Sequence, residues 1–251
     1  MAEQPIAALV AAVVLALVHL LGGRMRFLGG VPRSRWLSAF AGVSVAYVFV
    51  HVLPELAEGQ TSIEEAHSDD AAGAVPAFLE HHVYLMALVG LVVFYAVEMH
   101  SLTSRRRRHA RSGEDRTEDD AFWLSIGSFA VYNAIIGYLL VRGELGDLTA
   151  LALFTLALAV HFVINDFGLR EHHRHAYDRI GRWFLVSGVL AGWLLGVTTD
   201  VPEHALALVL AFIAGGVVLN VLKEELPGER RARLMPFAAG AALYTLVLQL
   251  L

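Results

Sequence analysis

The sequence contains no cysteine, which excludes a disulfide framework and any thiolate metal site. It is also poor in charge. Asp, Glu, Lys and Arg together make up 17% of the residues, against roughly 25% in soluble domains. Lysine occurs once, as Lys223, so the basic residues are almost all Arg. That usage fits a GC-rich bacterial genome. No basic segment precedes the first apolar stretch, and no clear small-residue cleavage site follows it before Gly22-Gly23-Arg24. A retained helix is therefore expected there rather than a signal peptide. The chain between Glu55 and Leu79 has no Lys or Arg at all.

Apolar residues are what the sequence has in excess, at 57%. They fall into long stretches separated by short charged segments. A bilayer core takes about 20 apolar residues per helix. The stretches predict eight transmembrane helices, near 5–22, 36–54, 79–100, 121–141, 148–168, 183–198, 204–222 and 233–251, within one all-α domain over 1–251. The connections alternate in charge. The first, third, fifth and seventh hold 18 of the 19 basic residues, and Arg142 in the fourth is the exception. Basic connections stay in the cytoplasm. This places both ends of the chain on the non-cytoplasmic side of a cell (plasma or inner) membrane. The Arg105–Arg108 run is read as a topology anchor in a solvated loop, not as a lipid or nucleic-acid patch. No nucleic-acid partner is expected. His109, His172, His173 and His175 fall in the same cytoplasmic connections, either as surface histidines or as a loose gathering of metal ligands. Gly188-x-x-x-Gly192 offers a small-residue face that would allow a homodimer.

An internal repeat is visible. Residues 48–55 read Val-Phe-Val-His-Val-Leu-Pro-Glu, and residues 217–224 read Val-Val-Leu-Asn-Val-Leu-Lys-Glu. The loop charges make these segments run in opposite directions, as in inverted-repeat transporters.

Ionisable groups at membrane depth cost ~2.5–3.5 kcal/mol each on insertion scales, so they mark cavities or partners. His51 and Glu55 share a face of the second segment, with Pro54 between them. Glu98 and His100 end the third, and Asn133 lies in the fourth. The fifth carries His161 and Asn165 four apart, with Asp166 next to them. Imidazole, amide oxygen and carboxylate suit a borderline divalent cation such as zinc. His19 stands alone in the first segment and is read as structural.

At these residues the sequence resembles the ZIP (Zrt/Irt-like) family of divalent metal transporters. His51-Val52-Leu53-Pro54-Glu55 is similar to the family's His-x-Leu-Pro-Glu ending of the second helix. Glu98 matches the end of its third helix, and Glu224-Glu225-Leu226-Pro227 the close of its seventh. The resemblance implies a 3+2+3 inverted-repeat bundle of eight helices and a metal ion as substrate. The departures fall on the ligands. Where the family's fourth helix carries His-Asn-x-x-Asp-Gly, this chain has Tyr132-Asn133-Ala134-Ile135-Ile136-Gly137. Where the fifth carries His-Glu-x-Pro-His-Glu, this chain has His161-Phe162-Val163-Ile164-Asn165-Asp166. Phe and Ile cannot coordinate metal, so a two-metal centre is not expected. At most one site is implied, from Asn133, His161, Asn165 and Asp166, with His51, Glu55, Glu98 and Glu224 as secondary polar positions on the path. The resemblance implies a divergent carrier of zinc, iron, manganese or a similar ion, and not an enzyme. A ZIP-fold metal sensor or interaction subunit without transport is the alternative. An intramembrane zinc hydrolase using His51, Glu55 and His161 is a third reading, but no nucleophile motif accompanies them. The deciding geometry is whether Asn133 and His161 face each other.

Overall fold

The computed structural model describes residues 3–22, 35–54, 56, 57, 60, 83–112, 119–142, 147–225 and 233–249. These residues are all-helical, with eight helices and no strand. They are α1 (Glu3–Leu21), α2 (Arg35–Tyr47, extended by a π-helical turn Val48–Val52), α3 (Val83–Ser112) and α4 (Asp119–Arg142). Then follow α5 (Leu148–Ala176, joined through a π-helical turn Tyr177–Gly181), α6 (Arg182–Thr198), α7 (Glu203–Glu225) and α8 (Leu234–Gln249). Five spans are long and apolar enough to cross a membrane: Arg35–Val52, Val83–Arg111, Asp119–Arg142, Leu148–Arg170 and Tyr177–Thr198. The apolar parts of the other three, Pro5–Leu21, Ala205–Asn220 and Leu234–Gln249, are shorter.

Local chemistry sets several helix ends. Asp147 Oδ1 accepts hydrogen bonds from the amides of Thr149 and Ala150, both at 2.9 Å, and so caps α5. Asp119 and Asp120 open α4, where the helix dipole favours carboxylates. Arg142 donates to the Gly196 carbonyl at 2.6 Å and pairs with Asp200 at 3.2 Å. The one basic residue that broke the charge alternation thus closes the C-terminal end of α6.

Two expected loops are helical instead. The Arg105–Arg108 run continues α3, and residues 169–176 continue α5. Charge reports contact with water, not loss of helix. Neither stretch holds a Gly or Pro, and Arg is a good helix former. His173, expected at the surface, is buried with its ring 5.3 Å from Phe122.

Three helix pairs run parallel in close contact. In α2 and α8, Ser38 accepts from the amide of Arg233 just before α8, and Tyr47 meets Tyr244. In α3 and α7, Gly90 lies against Phe212 and Glu98 meets Lys223. In α4 and α6, Gly188 packs on Ala130 and Gly192 on Ala134. A Cβ at Gly192 would sit 1.8 Å from the Ala134 carbonyl oxygen, so only glycine permits this approach. The Gly188/Gly192 face, read as open to association, is therefore occupied by α4 of the same chain. By contrast α2 and α5 are antiparallel, with Leu37 packed near Val163 and Ile164, and Tyr47 near Phe154. Large apolar side chains are exposed along the outside, among them Leu88, Val92 and Tyr95 of α3 and Leu194, Leu195 and Trp183 of α6. Polar side chains including His19, Asn133, His161, Asn165 and Asp166 are buried.

Candidate functional site

Successive residues of a helix are about 100° apart, and residues four apart share a stripe. On α5 this separates two neighbouring stripes. His161 and Asn165 lie on one, Phe162 and Asp166 on the other.

The Phe162/Asp166 stripe faces α1 and α4. His19 Nδ1 lies 2.8 Å and 3.0 Å from the two Asp166 carboxylate oxygens, and His19 Nε2 lies 2.8 Å from Asn133 Oδ1. Asn133 Nδ2 donates to the Phe129 carbonyl at 2.7 Å, which fixes the amide with its oxygen toward His19. Both ring nitrogens thus face oxygens. The imidazole is thus held at both ends, by the Asp166 carboxyl at Nδ1 and by the Asn133 amide oxygen at Nε2. Phe162 stacks on the imidazole at 4.7 Å and 27°. Gly22 lets the end of α1 come this close, since a Cβ there would lie 3.2 Å from Asp166 Oδ2. His19 and Asp166 side chains are 0% and 2% exposed, so water does not compete for these bonds.

The His161/Asn165 stripe faces α3 and α7. With Glu98 of α3 and Asn220 and Lys223 of α7 it lines a cavity of about 10 Å³, room for about one water. His161 Nε2, Asn165 Nδ2 and Asn220 Nδ2 are buried with no hydrogen-bond partner among the described residues. Each such group left unpaired costs ~1–3 kcal/mol. Lys223 Nζ pairs with Glu98 Oε2 at 3.0 Å at the rim of this cavity.

The four expected ligands are therefore divided. Asn133 and Asp166 meet through His19, while His161 and Asn165 open onto a different cavity with Glu98. Tyr132 stands between the two sets, its ring 6.1 Å from His161 and 6.4 Å from Phe162. His51 sits in the π-helical turn of α2 with its ring 5.4 Å from Tyr47, apart from both sets. Glu55 and the side chain of Glu224 lie outside the described residues. His100, within α3, is 3.6 Å from Asp120 at the start of α4, and both side chains are exposed. Among the described residues no three His, Asp or Glu side chains gather closely enough to hold a metal by themselves.

Sequence reasoning missed two participants and the partners of a third. His19 was read as structural, with neither Asp166 nor Asn133 as its partner. Its signal was an ionisable residue in an otherwise apolar helix. Asn220 was visible as the repeat counterpart of His51, and Lys223 was counted only as a loop charge. No protein-family model matches the chain, and neither does any curated protein sequence.

Proposed function

We propose that the chain is a divergent ZIP-like carrier of divalent metal ions in the cell membrane. It would cross the bilayer eight times, with its basic connections in the cytoplasm and both ends outside. The helix directions support this crossing pattern. Helices an even number apart run the same way in α2/α8, α3/α7 and α4/α6, while α2 and α5 run opposite ways. An inverted repeat relating the second helix to the seventh, and the third to the eighth, would interchange the α2/α8 and α3/α7 pairs. That supports the 3+2+3 arrangement.

The observation that carries the functional reading is the cavity at His161. Three buried polar groups lining it have no partner among the described residues, a costly arrangement unless a guest supplies the missing bonds. Zinc, manganese, iron and cobalt uptake into proteoliposomes tests it. Slow uptake of at least one ion is expected, lost in His161→Ala. Uptake no greater than in empty liposomes for all four would overturn the carrier reading.

A second reading, a ZIP-fold sensor or interaction subunit without transport, is favoured by a specific observation. His19 already occupies the Asp166 carboxylate and the Asn133 oxygen. The hydrolase reading gains no support, because His51 does not line the His161 cavity.

A further inference from the structure

The cavity takes two of the four residues that the family resemblance gives to metal, His161 and Asn165, and joins them to Glu98 of α3 and Asn220 of α7, with Ser125 and Phe129 of α4 in its wall. Glu98 contributes a carboxylate, His161 an imidazole nitrogen, and Asn165 and Asn220 two amides. Neither amide nitrogen has a partner among the described residues to fix its orientation, so either amide can turn its oxygen inward. One nitrogen with several oxygens is a borderline set, favouring zinc or cobalt over magnesium or calcium. The carboxylate already holds a cation. Lys223 is the only lysine in the chain, and its ammonium lies 3.0 Å from Glu98. An ammonium is a compact point charge on a flexible stem, closer to a small ion than a guanidinium fork is.

We infer that this cavity is a single-cation site in which the Lys223 ammonium is the resident cation, and that a borderline metal ion binds by displacing it. Charge forces the exchange. One carboxylate cannot neutralise an ammonium and a dication together, and the two would repel within a site this small. Lys223 has a way out. Its side chain is 29% exposed near the end of α7, so it can extend to water while its stem stays packed. The inference rests on the carrier reading only for the guest being a metal ion.

The test is Co2+ titration of the purified full-length protein in micelles, followed by its visible absorption. His172 and His175 are replaced by Gln in every sample to remove competing sites; buried His173 is kept. Lys223→Met should bind one Co2+ per chain about tenfold more tightly than the parent. The added absorption should vanish when His161→Ala or Glu98→Gln is combined with it. Lys223→Arg keeps the charge and should show no gain. Equal affinity in parent and Lys223→Met, or an equal gain in Lys223→Arg, overturns the displacement. Absence of a His161-dependent signal in every variant overturns the site. Uptake by the parent protein decides the carrier reading separately. Transport without a Lys223 effect removes this inference alone, and tight binding without transport removes the carrier reading alone.

Discussion

The two polar stripes of α5 solve the same problem in opposite ways. Both bury an imidazole and an amide next to a carboxylate. On the His19 side every one of these groups has a partner. On the His161 side three nitrogens have none among the described residues. A closed set holds helices together, and its partners are already in place. An open set destabilises the empty fold and leaves binding capacity for something else. The difference separates a structural tie from a candidate binding site more sharply than residue type does.

His19→Ala should give the largest effect. It leaves the buried Asp166 carboxyl without its His19 partner, and removing one side of a buried pair costs ~3–5 kcal/mol. Unfolding in detergent measures this loss. Adding Asp166→Ala should recover part of it, because the stranded polar group is then gone. A loss below about 1 kcal/mol would mean that the closed set is not a tie.

Gly188→Val should come next. A Cβ there would lie 2.5 Å from the Ala130 carbonyl oxygen and 3.2 Å from Asn133 Cβ. The substitution pushes directly on the Asn133 end of the closed set, at ~1–3 kcal/mol for overpacking. Gly127→Ala is the control. It meets nothing within 4 Å, and should stabilise α4 by about 0.5–1 kcal/mol. Equal effects at the two glycines would show that helix propensity, not packing, governs α4.

Asn220→Leu should have the smallest effect on stability and the most informative sign. Replacing a partnerless buried amide by an apolar side chain is expected to be neutral or to stabilise by up to about 1 kcal/mol. Metal uptake and Co2+ binding should fall together. Destabilisation as large as that from His19→Ala would erase the contrast between the two sets.

Much of the architecture was legible in the sequence. Apolar runs located all eight helices, and the cost of polar groups in a membrane singled out Asn133, His161, Asn165, Asp166 and Glu98, all of them in the two sets. The grouping was not legible. Spacing along one helix shows which residues share its face, so His161 with Asn165 was recoverable. It does not show which neighbour that face meets. His19 is 147 residues from Asp166, and nothing local marks the pairing. Loop boundaries failed for a related reason. Charge in Arg105–Arg108 and in 169–176 was equated with loop, although a helix can leave the bilayer intact.

The pairing of Asp166 and of Glu98 inside the bundle also has an electrical consequence. Asp166 with His19, and Glu98 with Lys223, are neutral combinations. A helix movement that carries both pairs along does no work against the membrane potential. An unpaired charge crossing the full field would gain or lose about 2.3 kcal/mol per 100 mV. Under the carrier reading, the empty protein therefore changes state at a rate insensitive to voltage. Loading exchanges a single positive charge for a double one in the core, so voltage acts on the occupied protein alone.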